Sequence, residues 1–282
     1  MPKLTTVTLD RGLVAPSIYA DAPHLVTEQA LLLDSETRNE LHRFMTQYVR
    51  FLGFRGVRMG YRLDLYFDQD RVYVIEVNVE LADGWGVSLN LLRAAQAEFE
   101  FDGWLPKRFP TFPDDPRQTE FQLAISEFGL LNHQAELDFH PARIVEVCDN
   151  KLYLAKFAET WRGERVLVPK IYWHGTSDWV DVPADVYLKF ANKFSPEAVK
   201  SRYSAKPRSE LGRARQMQRL FQDGKAIAQQ QVSPALTASG EVVQAVVMCY
   251  GPKPITGYIQ LADPERQVIN DKGTKKGPLI FL

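Results

Sequence analysis

The chain has 282 residues, more than one average domain, so two closely joined lobes are expected. Its 34 Lys and Arg against 35 Asp and Glu leave a formal charge of −1, which provides no field for nucleic acid or an anionic membrane. The apolar content supports a real core, yet no apolar run approaches the length of a membrane span. No charged-then-apolar leader pattern opens the chain, and the expected compartment is the cytoplasm. Cys148 and Cys249 stand far apart without metal or redox spacing, and both read as buried free thiols. The five histidines show no metal spacing either.

In chain order, residues 1–33 read as extended or loop structure broken by Pro16 and Pro23. Thr37-Arg38-Asn39-Glu40 has the form of a capping box, and Leu41, Phe44, Met45, Tyr48, Val49 and Leu52 follow at helical spacing. Gly53 and Gly56 end that helix. Residues 61–67 and 71–78 then form a predicted hairpin turned by Asp68-Gln69-Asp70. A loop, 82–86, leads to an apolar helix near 87–99, and four prolines mark 102–117 as a linker or covering loop. Beyond residue 121 the texture is of short strands at 122–125, 142–147, 152–157, 165–173 and 185–191. A helix is expected at 210–222, with strands at 225–232, 242–250 and 255–261. The lack of a βαβ rhythm predicts an α+β fold with mostly antiparallel sheets.

The chemistry concentrates in the hairpin. Arg62 and Asp64 stand two apart on the first strand, so their side chains leave the same face of the pleat. Glu76 and Asn78 do the same on the second, inside the apolar run 72–79, where unpaired polar groups are costly. A cation, two carboxylates and an amide oxygen thus meet in one patch, and oxygen ligands of this kind suit Mg²⁺ held together with phosphates. The alternative is a solvated sheet face on which Arg62 pairs with Asp64 or Glu76 as a surface ion pair.

Arg62-x-Asp64, eleven intervening residues and Glu76-x-Asn78 resemble the metal-binding core of the ATP-grasp ligases, and most of all their circularly permuted branch, typified by glutathionylspermidine synthases. The carboxylate strands come early here, and a hinge-like run, Ala228 to Pro234, comes late, as permutation requires. The resemblance implies a division at residues 118/119: a metal-carboxylate part with the N-terminal helix, then a nucleotide-binding lobe with the adenine hinge and C-terminal strands. It implies ATP and Mg²⁺ as cofactors, with Asp64, Glu76 and Asn78 as metal ligands and Arg62 against the γ-phosphoryl group. Lys189 would touch the phosphates and adenine, with Arg165 or Lys170 as a second basic contact. Gln229, Gln230, Gln231 and Val232 would lie along the adenine, Gln230 and Val232 through their backbones. The implied reaction joins a small-molecule or peptide carboxylate to an amine through an acyl phosphate, with no nucleic-acid or membrane partner. On this reading Arg62→Ala abolishes turnover and largely spares the fold.

Three departures from the resemblance keep a second class open, a catalytically degenerate relative that binds nucleotide or a protein partner. Residues 190–208 lack the glycines that let backbone amides approach phosphate. Gln260 occupies the position where the family bears an arginine. Glu80, Asp83 and Trp85 replace the threonine- and proline-containing substrate loop.

Overall fold

A computed structural model describes residues 1–10, 25–53, 60–78, 150–192, 205–207, 214–263 and 274–282, with isolated positions at 87–88, 91–92, 94–95, 147, 195–196 and 198. The expected elements at 102–117, 122–125 and most of 87–99 and 142–147 lie outside the described residues, as do Cys148 and most of the glycine-free stretch. The fold is α+β, dominated by strand and mostly antiparallel.

The first helix, α1 (Ser35–Phe51), starts two residues before the capping box. Asp34 is its N-cap: its Oδ1 accepts from Thr37 N at 2.8 Å. Glu40 does not reach back to Thr37. Its carboxylate instead accepts from the backbone N–H groups of Glu164 (2.7 Å) and Arg165 (2.9 Å). The Thr37 hydroxyl is left buried without a hydrogen-bond partner among the described residues. Asp34→Ala is therefore expected to cost about 1–2 kcal/mol, and Thr37→Val to be neutral or slightly stabilising, in urea midpoints. Gly53, at φ 81°, closes the helix in the left-handed region that a side chain would strain.

Among the described residues one sheet has ten strands. Its main path runs β1 (Lys3–Thr6), β3 (Gln29–Leu33), β14 (Lys275–Phe281), β13 (Lys253–Ala262), β12 (Val242–Tyr250), β4 (Gly60–Phe67), β5 (Val72–Asn78), β6 (Val166–Leu167). The short strands β2 (Leu25–Val26) and β11 (Ala235–Leu236) flank β14 and β12. This sheet draws strands from both sides of position 118/119. Pro254, which has no N–H to donate, lies beside the bulge between Met248 and Cys249, where the ladder is already interrupted. Gly257 lets β12 and β13 close up, since a Cβ there would stand 2.4 Å from the Val246 carbonyl oxygen.

One face of the sheet is apolar. Leu63, Leu65, Val77, Ala245, Val247, Cys249 and Ile259 pack with Leu41, Phe44, Met45 and Tyr48 of α1 in the main core. Burial raises the Cys249 thiol well above its ordinary range, which makes it inert. The second sheet runs β7 (Ile171–Tyr172), β10 (Ala226–Gln230), β8 (Val186–Phe190), β9 (Ala205–Pro207). A smaller core lies under it, made by Val186, Leu188, Ala226 and Ala228 with Trp179, Leu220 and Phe221. Phe221 belongs to the helix Ala214–Gln222, which falls within the expected 210–222; residues 210–213 lie outside the described residues.

The largest correction falls at 152–157, expected as a strand. It is helix α2 (Lys151–Ala158), capped by Asn150, whose side chain accepts from Leu152 N at 3.0 Å. Leu154, Ala155 and Phe157 are buried, a spacing that fits a short helix as well as a strand, and the Asn cap decides it. No helix among the described residues is long and apolar enough to cross a membrane.

Candidate functional site

The hairpin forms as expected. Asp68 Oδ1 accepts from the N–H groups of Asp70 (2.9 Å) and Arg71 (2.8 Å), an Asx turn that reverses the chain. The register pairs Arg62 with Asn78 and Asp64 with Glu76, so the four side chains form a square on the face opposite the apolar core.

Within the square Arg62 makes a two-point contact with Asp64, Nε to Oδ1 at 3.0 Å and Nη2 to Oδ2 at 3.1 Å. Burial raises the Asp64 carboxyl above its usual range; Arg62 opposes that rise and the neighbouring Glu76 adds to it. The buried Asn78 amide is best oriented with its nitrogen on Glu76 Oε1 (2.9 Å) and its oxygen accepting from Arg62 Nη2 (3.3 Å). The reverse orientation gives one long bond to Asp64 Oδ2, 3.3 Å, and forgoes the other two.

Two lysines complete the cluster. Lys151, on the first residue of α2, places Nζ 3.0 Å from Glu76 Oε1. Its backbone N–H donates to Ala191 O at 2.8 Å, which ties α2 to the end of β8. Lys189, on β8, donates from Nζ to Gln229 Oε1 at 2.6 Å, and Gln229 Nε2 donates in turn to Ile75 O at 3.1 Å. Gln229 thereby joins the second sheet to β5 of the first. Burial opposes ionisation of Glu76, but Lys151, Lys189 and Arg62 outweigh it and hold the carboxyl down at about 2. Lys189 is lowered to about 8 by burial, with Lys151 adding to the drop and Glu76 and Asp64 opposing it.

The unfolded chain keeps the Lys189 proton up to about its ordinary 10.5, whereas the folded chain releases it near 8. Between those values the unfolded state binds more protons, so this group makes stability rise with pH, and its full cost is present below pH 8. Wild-type urea stability minus that of Lys189→Met is therefore expected to climb by on the order of 2–3 kcal/mol from pH 7.5 to 10.5.

The other expected contacts fall elsewhere. Arg165 does not join Lys189; its guanidinium pairs with Asp34 (3.2 Å) and Glu36 at the start of α1. Lys170 is exposed, with Nζ 4.7 Å from the Tyr172 ring centre, and its carbonyl accepts from Gln230 N at 2.8 Å. The Gln230 N–H is thus committed to the sheet. Gln230 and Gln231 are exposed, and Val232 is half-buried beyond the end of β10. Gln229 alone of that run enters the cluster, by its side chain. The short apolar pattern at 152–157 predicts a strand and gives Lys151 no role; the Asn150 cap is the signal in the sequence that places Lys151 at a helix start.

The cluster brings together three cations, Arg62, Lys151 and Lys189, and two carboxylates, Asp64 and Glu76. No group of three or more His, Cys, Asp or Glu capable of holding a metal occurs among the described residues. Two opposed carboxylates nevertheless match the small protein share of a Mg²⁺ site whose other ligands are phosphates and water. The surplus cation suits an anionic ligand at the same place. No family model matches the chain, and no curated protein matches it.

Proposed function

We propose that this chain is an ATP- and Mg²⁺-dependent carboxylate–amine ligase of ATP-grasp type, in permuted order, acting through an acyl phosphate. The observation that carries the reading is the square of Arg62, Asp64, Glu76 and Asn78 with Lys151 and Lys189 converging on it from α2 and the second sheet. Mg²⁺ would be held by Asp64 and Glu76, and when bound it neutralises phosphate charge. Arg62, planar and permanently charged, would stabilise the transferring phosphoryl group, and Lys151 and Lys189 would take the phosphate charge they now share with Glu76. Gln229 fixes the position of Lys189. The protein contributes positioning and charge, which is what phosphoryl transfer asks of it.

A panel of carboxylates, incubated with the chain, Mg²⁺-ATP and hydroxylamine, tests this. The carboxylate oxygen takes the γ-phosphoryl group and ADP leaves; hydroxylamine nitrogen then displaces phosphate from the acyl carbon. ADP and hydroxamate appearing together are expected. The glycine-free sequence at 190–208 favours the second reading, a nucleotide-binding module without turnover. Mg²⁺-dependent ATP binding without either product would select it and overturn the ligase.

A further inference from the structure

Strict alternation along β5 would misplace the carboxylate. Val72 and Val74 lie in the main core, so the same two-residue step would carry Glu76 and Asn78 into it as well. The register prevents this: Leu65 pairs with Val74, and its neighbour Asp64 pairs with Glu76. Ile75 is the extra residue, a β-bulge, and Val77 takes the core position that follows it. The bulge turns Glu76 and Asn78 to the face of Arg62 and Asp64.

A bulge leaves backbone groups outside the ladder, and this one is held from the second sheet. Gln229 Nε2 donates to Ile75 O at 3.1 Å, and Gln229 Oε1 accepts from Lys189 Nζ at 2.6 Å. The amide fits only this way round, because a carbonyl only accepts and an ammonium only donates. Gln229 is 3% exposed, and its strand neighbours Ile171 and Tyr187 fix its place on β10. Among the described residues β6 pairs with β5 only at Val72 and Tyr73. Past Tyr73 the Gln229 amide stands where a further strand would bond.

We propose that Gln229 is a positioning residue for Glu76. One end of its amide holds the bulge that aims the carboxylate, and the other holds Lys189, so it sets how the two groups face each other across the sheets. This gives Gln229 a role away from the adenine, where the resemblance put it. The consequence for metal binding rests on the ligase reading; the hold on Glu76 does not.

Two double-variant cycles test the assignment. In the first, the Mn²⁺-ATP complex is titrated into the full chain, and binding is read from the enhancement of water-proton relaxation; Mn²⁺ takes the same oxygen ligands as Mg²⁺. Gln229→Met, close in size but without an amide, is expected to weaken binding about tenfold by itself, and to cause no further loss in the Glu76→Gln background. In the second, urea midpoints are compared without metal or nucleotide. There the loss caused by Gln229→Met should fall by about half in the Glu76→Gln background. Ile227→Val loosens the same strand at a core position without touching the amide. It should lower the midpoint equally in both backgrounds and leave Mn²⁺-ATP binding unchanged. Should Gln229→Met fail to fold, Gln229→Asn, whose amide is one methylene too short to span both partners, replaces it with the same expected pattern. If the wild-type chain binds no Mn²⁺-ATP, the ligase reading falls and the urea cycle alone decides. A Gln229→Met loss of equal size in both backgrounds, in either cycle, makes Gln229 a clamp between the sheets only and overturns the proposal.

Discussion

Replacing Glu76 with Gln is expected to remove the Mg²⁺-dependent part of stabilisation by ATP and to lower turnover about a thousandfold. The same change should lower the stability of the unliganded chain by about 3 kcal/mol, because it strips Lys151 of its carboxylate partner at a largely buried position. The two effects separate by pH. Glu76 is depressed from 4.5 to about 2, so its contribution is complete above about pH 4.5 and is lost as pH falls through about 2. Urea midpoints from pH 7 to 2 should therefore converge for wild type and Glu76→Gln at the acid end. Thermal shifts with ATP, with and without Mg²⁺, read the metal role at pH 7. An unchanged Mg²⁺ response in the variant would remove that role, whatever the stability result.

Arg62→Ala is expected to reduce turnover by about 10²–10³-fold. From sequence alone the fold should be spared; the two-point contact with buried Asp64 changes that expectation. Without Arg62 the Asp64 carboxylate loses the cation that opposes its raised pKa, and a stability loss of about 2 kcal/mol follows at pH 7. A raised folded-state pKa favours the folded chain in acid and is a liability once pH exceeds it. The loss should accordingly grow from pH 4 to pH 7. Arg62→Lys keeps the charge but not the fork, and should recover part of the stability with little of the turnover. The double variant Arg62→Met with Asp64→Leu should fold well and turn nothing over. If it retained turnover, the hairpin pair would be structural only.

Much of this site is legible in the amino-acid sequence. A hairpin with a two-residue period and an Asp-rich turn announces which side chains share a face, and a one-residue slip would have sent Arg62 and Asp64 into the core. The apolar periodicity of α1 was equally plain, since seven buried positions follow one helical stripe. Its start was misplaced because Thr37 and Glu40 have capping-box spacing, while Asp34 offered a stronger acceptor and Glu40 a better use at Glu164 and Arg165. At α2 the apolar pattern was too short to distinguish helix from strand.

What the sequence determined by itself was local: the α+β class, the hairpin, and the face that Arg62, Asp64, Glu76 and Asn78 occupy. Period and turn chemistry act over a few residues and can be read there. Only the tertiary structure decided that Lys151 meets Glu76, that Lys189 reaches the patch beside Gln229, and that Arg165 goes instead to Asp34 and Glu36. Those contacts join residues far apart in the chain, and every lysine and arginine had several carboxylates it could have paired with. Strand order and helix docking choose among them, because a buried charge is tolerated only where packing has already brought a partner.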